Sequence, residues 1–403
     1  MRSSEPTTHF IPTRWGSLAR RRQPVTTKTL RILGTRGVPA AHGGFETFAE
    51  RLAHHLVGRG WQVVVYCHID GAGPYREDVW NGIERVHIPS SRSGPAGTVV
   101  FDWLATQHAA RHRDLCLTLG YNTGVFSGLL RWKGVPNLIN MDGIEWSRAK
   151  WGMCARAWLW VNDWAACWLA NHLVADHPAI QAHLLSRVGP HKVSTIPYGA
   201  DAVSAAPEAP VHELGLVPGR FLTVIARPEP ENSLLEIVEG FSRRPRGVQL
   251  AVLGRYDEGR PYHRAVKSAA GPEVQFLGAI YDKATLRSLR FHSLAYVHGH
   301  QVGGTNPSLV EALGAGNAVL AHDNPFNRWV AGEGAVYFKC ADTLSSALGE
   351  LLTSPAQMSE LQLQAANRFA EEFTWPHVLG QYERLLQDAR WQAGEPGVAV
   401  VAS

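Results

Sequence analysis

Residues 298 to 320, HGHQVGGTNPSLVEALGAGNAVL, set two adjacent glycines, an Asn-Pro step and a glutamate at what reads as a strand-loop-helix junction. Asn306 is a preferred N-cap, and Pro307 suits the first helical position, where a missing N–H is no loss. Gly303 and Gly304 let the backbone take positive φ or approach a ligand closely. With the free amides of the helix start, Thr305 among them, they make an anion cradle that a diphosphate would fit. Glu311, one turn into the helix, can accept hydrogen bonds from two vicinal hydroxyls of a ribose or a sugar. An ordinary capped turn accounts for the same residues, with Glu311 only complementing the helix dipole for about 0.3–1 kcal/mol.

Three further stretches carry chemistry. GTRGVPAAHGGFETFAE (34–50) places Gly43 and Gly44 before a helix starting near Phe45. The dinucleotide spacing G-x-G-x-x-G is absent, so the pair reads as a second helix-start anion site or as a plain turn. In NMDGIEWSRAKW (140–151), Asp142 and Glu145 directly follow a strand. Either is a candidate base, nucleophile or sugar-hydroxyl acceptor, against the plainer reading of solvated loop acids. Arg227, in VIARPEPENS, also ends a strand. A guanidinium there suits a phosphate leaving group, since it presents paired donors and never loses its charge; a surface salt bridge is the alternative. The nineteen histidines show no HExxH or similar spacing, and neither a metal nor another cofactor is expected.

The elements that must position these residues alternate. From residue 29, TLRIL runs into a glycine loop, an amphipathic helix and a second β-branched strand at Val63 to Tyr66, which is a βαβ unit. DLCLTLGY, PNLINMDG, HLVADHPAIQAHLL and KVSTIPYGAD continue the pattern as a parallel sheet wound by helices. SAAPEAPVHELGLVPG then reads as a linker, after which strands and helices restart with RFLTVIA. The expected division is a disordered basic extension at 1–28, a Rossmann-like acceptor domain at 29–205, and a Rossmann-like nucleotide-sugar domain at 206–375. A terminal helix at 376–395 is expected to pack back on the first domain. The fold class is α/β, two facing Rossmann-like domains with an interdomain cleft, because ligands bind outside the carboxyl ends of such strands. If 151–168 is one helix, Trp160, Trp164 and Trp168 share a face opposite Trp151 and Trp158. Rings on both faces predict burial between layers, with contact to a membrane interface as the alternative.

A formal net charge of +4 over 403 residues gives no sign of a dedicated nucleic-acid binder. The five cysteines form no CxxC pair and are odd in number, which fits a reducing, cytoplasmic setting. The most apolar run, AWLWVNDWAACWLA, is interrupted by Asn162 and Asp163 and does not span a membrane. Residues 1–28 carry six cations against Glu5, a solvated tail or one drawn to an anionic leaflet.

Taken together, STIPYGAD, ARPEPENSLLEIVEGF, GGTNPSLVEALGAGNAVLAHDNPFN and FTWPHVLGQYERLL resemble retaining glycosyltransferases of family 4, which have the GT-B fold. RGVPAAHGGFETFAERLA, NMDGIEWSRAKW and HGHQVGGTNPSLVEA are similar to a branch of bacterial polysaccharide (beta-1,4) rhamnosyltransferases. The resemblance implies that Gly43, Gly44, Gly303, Gly304, Thr305 and Asn306 approach the donor diphosphate and that Arg227 neutralises it. It also implies that Asp142 stands beside the reacting carbon and that Glu311 holds the ribose. The implied donor is dTDP-L-rhamnose, the acceptor a lipid-linked saccharide at the inner face of the plasma membrane, and the cofactor none. Two positions depart from the family. Gly303 stands where the first of two glutamates is usual, and Asn232 where a lysine is usual. A UDP- or GDP-hexose transferase, a sugar-nucleotide epimerase and a non-catalytic membrane-associated binding module are the alternatives.

Overall fold

The computed structural model describes residues 28–388 apart from 42, 93 and 149. Residues 1–27 of the extension read at 1–28, and 389–395 of the terminal helix read at 376–395, lie outside the described residues. In chain order the first half comprises β1 (Thr29–Leu33), α1 (Gly44–Gly58), β2 (Gln62–Asp70), β3 (Arg76–Trp80), β4 (Ile83–Ser90), α2 (Gly94–Ala109) and β5 (Leu115–Leu119). It continues with α3 (Ser127–Trp132), β6 (Asn137–Asn140), α4 (Met153–Leu169), β7 (His172–Ala175), α5 (Pro178–Leu185) and β8 (Val193–Thr195). The eight strands form one sheet in the order β3-β4-β2-β1-β5-β6-β7-β8. Leu30, Ile32, Val63, Val65 and Leu117 are fully buried because helices cover both faces, the situation that selects continuous apolar strands.

One edge of this sheet is not parallel. β3 pairs antiparallel with β4 through a turn at Asn81-Gly82, where both residues take positive φ, 48° and 81°. That is the Asn-Gly hairpin chemistry, favoured because its twist matches the strands.

The second half comprises α6 (Ala209–Glu213), β9 (Phe221–Ile225), α7 (Leu234–Ser242), β10 (Gln249–Leu253), α8 (Pro261–Ser268), β11 (Val274–Gly278) and α9 (Lys283–His292). After these come β12 (Ala295–His298), α10 (Pro307–Gly314), β13 (Ala318–His322), α11 (Pro325–Ala331), β14 (Ala335–Phe338), α12 (Ala341–Thr353), α13 (Pro355–Glu372) and α14 (Trp375–Gln387). Its six strands, in the order β11-β10-β9-β12-β13-β14, are parallel throughout. The Ala- and Pro-rich connection is strapped down: Arg287 and His292 of α9 donate to the carbonyls of Ala205 and Ala206 at 2.9 Å each.

α14 ties the two halves together. Thr374 caps it, and Trp375, Val378, Leu379, Tyr382 and Leu386 recur at helical spacing on one buried face. That face joins the core of the first sheet, with the Tyr382 ring 4.6 Å from Phe48 of α1. Each such side chain stabilises the docking by roughly 1.5–3 kcal/mol. The strand ends of both sheets are thereby held facing one another.

Candidate active site

A cleft of about 650 Å³ lies between the carboxyl ends of the two sheets, lined by residues from both halves. On the first wall, β6 ends in Asn140, whose side chain is fixed by donating to Tyr382 Oη at 2.8 Å. Asn140 Oδ1 accepts the Asp142 N–H at 3.0 Å and helps hold Asp142 at φ 53°, a conformation non-glycine residues seldom take. Asp142 thus lines the cleft at the strand end. Burial, and then the neighbouring Glu145 carboxylate, raise its pKa.

Glu145 lines the same wall, but its oxygens are occupied. It ion-pairs with Arg148, takes Lys150 Nζ at 3.1 Å and accepts the Trp151 indole N–H at 3.1 Å. Burial pushes its pKa up, yet Arg148 and Lys150 outweigh burial and hold it below the usual range. Glu145 is therefore an ionised anchor with little capacity to take a proton. Arg148 reaches further, donating Nε to Glu231 of the second half at 3.1 Å.

Asp176, which the sequence reading did not single out, is the second carboxyl of this wall. It follows β7, and its Oδ2 accepts the Thr305 N–H at 2.9 Å while its carbonyl accepts the Thr305 hydroxyl. Its Oδ1 is buried and has no partner among the described residues. Burial, and then the charge of Asp142, push the Asp176 pKa up to about 7. The signal was available in VADH, an acid directly after a strand, but position alone does not separate it from other loop acids.

The second wall carries the junction at 303–311. Asn306 caps α10, accepting the Ser308 N–H at 3.0 Å, with Pro307 as the first helical residue. Gly303 takes φ 141°, and Gly304 abuts Asp176 so closely that a Cβ would collide with the carboxyl. Gly44 starts α1 opposite Pro307; a Cβ there would lie 3.5 Å from the proline ring. The Gly43-Gly44 helix start, with Gly43 at φ 105°, thus adjoins the α10 start across the gap. Arg227 follows β9, is exposed to the cleft, and makes no ion pair among the described residues. Asn232 donates at 2.8 Å to the Arg227 carbonyl, so the residue in the family's lysine position shapes the arginine loop. Glu311 pairs with the buried Arg290 and lies close enough to the cleft-lining Tyr198 to raise its pKa, after burial.

The tryptophans depart from the expectation. Trp151 lies outside the helix, which begins at Met153, and Trp158 lines the cleft, donating to the Asn122 carbonyl at 2.9 Å. Trp160 and Trp168 are exposed and are not buried between layers. The reason is that α4 buries a different face, through Leu159, Asn162, Asp163 and Ala166. No helix among the described residues is long and apolar enough to cross a membrane.

The family model for a domain of unknown function (DUF1972) matches residues 27–201. No curated protein matches the chain. Among solved structures, sucrose-phosphate synthase from Thermosynechococcus elongatus is similar, with TM-score 0.75 and 17% identity over 91% of this chain and 100% of that one. Anabaena HepE in complex with UDP and glucose gives 0.71 at 15% identity, over 90% and 100%. A glycosyltransferase from Rickettsia africae gives 0.67 at 12%, over 91% and 100%. At these identities the likeness establishes the architecture: the chain has the two-domain α/β GT-B fold.

Proposed function

We propose that this chain is a retaining glycosyltransferase, moving L-rhamnose from dTDP-L-rhamnose to a lipid-linked saccharide in bacterial surface polysaccharide synthesis. The observation that carries the reading is the Arg227 guanidinium, without an ion-pair partner among the described residues, in one cleft with the carboxyls of Asp142 and Asp176 and a glycine-lined helix start. HepE, whose structure holds UDP and glucose, and an Escherichia coli structure bound with UDP-2-fluoro glucose share the fold and support a nucleotide-sugar donor. The rhamnose and the lipid-linked acceptor rest on the three motifs that resemble polysaccharide rhamnosyltransferases.

In the transfer, the bond between the anomeric carbon and the diphosphate oxygen breaks, and an acceptor oxygen bonds to that carbon. The acceptor hydroxyl gives up its proton. Charge grows on the departing diphosphate, so donors fixed in place before reaction lower the barrier most. Arg227 and the amides of the two helix starts are placed to act so. In a front-face attack the departing diphosphate oxygen takes the proton. In a double displacement the Asp142 carboxylate displaces the diphosphate from the anomeric carbon first, and the acceptor oxygen then displaces the carboxylate while its proton passes to the departed diphosphate. Glu311 would take the ribose hydroxyls, at the expense of part of its pairing with Arg290.

Incubation with dTDP-L-rhamnose and a lipid-linked saccharide should give a product one deoxyhexose heavier by mass spectrometry. Turnover only with a UDP- or GDP-hexose would overturn the rhamnose assignment and keep the class. Consumption of the donor with no acceptor present would point to an epimerase. Turnover indifferent to both Arg227→Ala and Glu311→Ala would sink the transferase reading.

A further inference from the structure

Helix α4 is apolar on more sides than the fold uses. Leu159 and Ala166 are buried, and Trp158 lines the cleft. At 100° per residue, Met153, Ala157, Trp160, Val161, Trp164 and Trp168 share a further sector about 100° wide. Trp160 and Trp168 are 47% and 62% exposed. Trp164 sits between them in edge contacts, its ring centroid 6.1 Å from one and 5.3 Å from the other. The three indoles form a continuous shelf. Trp132, 76% exposed, stands at the end of α3, which packs against α4.

The charge around this shelf has one sign. Residues 146–200 contain only two acids, Asp163 and Asp176. Asp163 is buried and accepts the Trp146 indole N–H at 2.7 Å, beside His183 and Arg187, and Asp176 lies in the cleft. Arg131 and Lys133 are exposed beside Trp132. Half-buried Lys192 donates to the Trp168 carbonyl at 3.3 Å, and after burial the charge of Arg131 is what lowers its pKa.

Exposed contiguous apolar surface of this kind marks an interaction site. Indoles favour the headgroup depth of a bilayer, and clustered cations are attracted to anionic lipid. An isologous contact with a second copy would instead set the same cations against one another. We propose that the outward face of α4, with the end of α3, docks the chain on an anionic lipid bilayer. Trp158 of the same helix reaches the cleft, so this contact sets the cleft mouth about one helix diameter, roughly 10 Å, from the lipid surface. A lipid-linked acceptor would then be met without leaving the bilayer, a consequence that rests on the transferase reading; the docking itself does not.

The test is flotation of the full chain with vesicles of phosphatidylcholine alone, or with phosphatidylglycerol at about one part in four. The chain should bind the anionic vesicles, more weakly as salt rises, and hardly bind the neutral ones. Trp160→Ser/Trp168→Ser and Arg131→Glu/Lys133→Glu should each reduce partitioning about tenfold or more, with unchanged melting temperature. Absence of wild-type binding, or binding undiminished in both variants, would overturn the proposal. So would a lipid-free dimer that both variants convert to monomer. If vesicle binding follows the expected pattern while no nucleotide sugar is turned over, docking stands and the transferase reading fails.

Discussion

Replacing Asp176 by asparagine removes a charge while keeping an oxygen that accepts the Thr305 N–H. Burial, and then Asp142, raise this carboxyl from 3.8 to about 7. A carboxyl whose folded pKa lies above its unfolded value favours the fold when protonated. That contribution is complete below the unfolded value and is lost as pH rises through the folded one. A shift of about 3 units at 1.36 kcal/mol per unit makes the total loss about 4 kcal/mol. Between pH 5 and 7, about 2 of those units contribute about 3 kcal/mol. With an unfolding entropy of roughly 2.1 cal/mol/K per residue, a chain of this length converts that into about 3 to 4 °C of melting temperature. Asp176→Asn lacks the loss, so its melting temperature should gain on the wild type by that amount from pH 5 to 7 and then run parallel. Calorimetry of both proteins across this range reads the difference, because the titrating groups that do not interact with Asp176 cancel. Parallel curves, or a wild type that gains on the variant as pH rises, would refute the placement of Asp176 as a buried carboxyl beside Asp142.

Arg227→Ala should weaken dTDP binding about 10- to 100-fold by isothermal titration, the effect of losing charge-assisted hydrogen bonds worth about 1.5–3 kcal/mol. Its melting temperature without ligand should stay within about 1 °C of wild type, because the guanidinium has no ion-pair partner among the described residues to lose. Gly304→Ala sets a methyl against the Asp176 carboxyl and should cost about 1–3 kcal/mol in thermal unfolding. Combining it with Asp176→Ala should recover most of that loss, as contacting residues couple; a simple sum of the two single effects would show that the clash is not there.

How much of this was readable in advance depends on how far apart in the chain the interacting groups are. Asn306 capping α10 from one residue away is a local event, and the residue types alone specify it. The parallel sheets are legible for the same reason, since each βαβ unit is written in consecutive periodic segments. Asn81-Gly82 was equally local and carries the β3–β4 hairpin, yet a reading tuned to parallel strands passes over it. The site differs in kind. Asp176 and Thr305 are 129 residues apart, and Arg148 and Glu231 are 83 apart. Which acid at a strand end meets which loop follows from the strand order and from α14 docking on the first sheet, not from spacing. Glu145 shows the consequence. Its position after β6 matches that of Asp142 closely enough that sequence treats them alike, whereas Arg148 and Lys150 lower the pKa of one and burial raises that of the other. Two carboxyls three residues apart are thus divided into an ionised anchor held by two cations and a group whose charged form burial disfavours. The partition is a property of the packed loop, and the two substitutions should part company accordingly. Glu145→Gln should act mainly on stability through Arg148 and Lys150. Asp142→Asn, whose backbone is already held by Asn140, should act mainly on turnover.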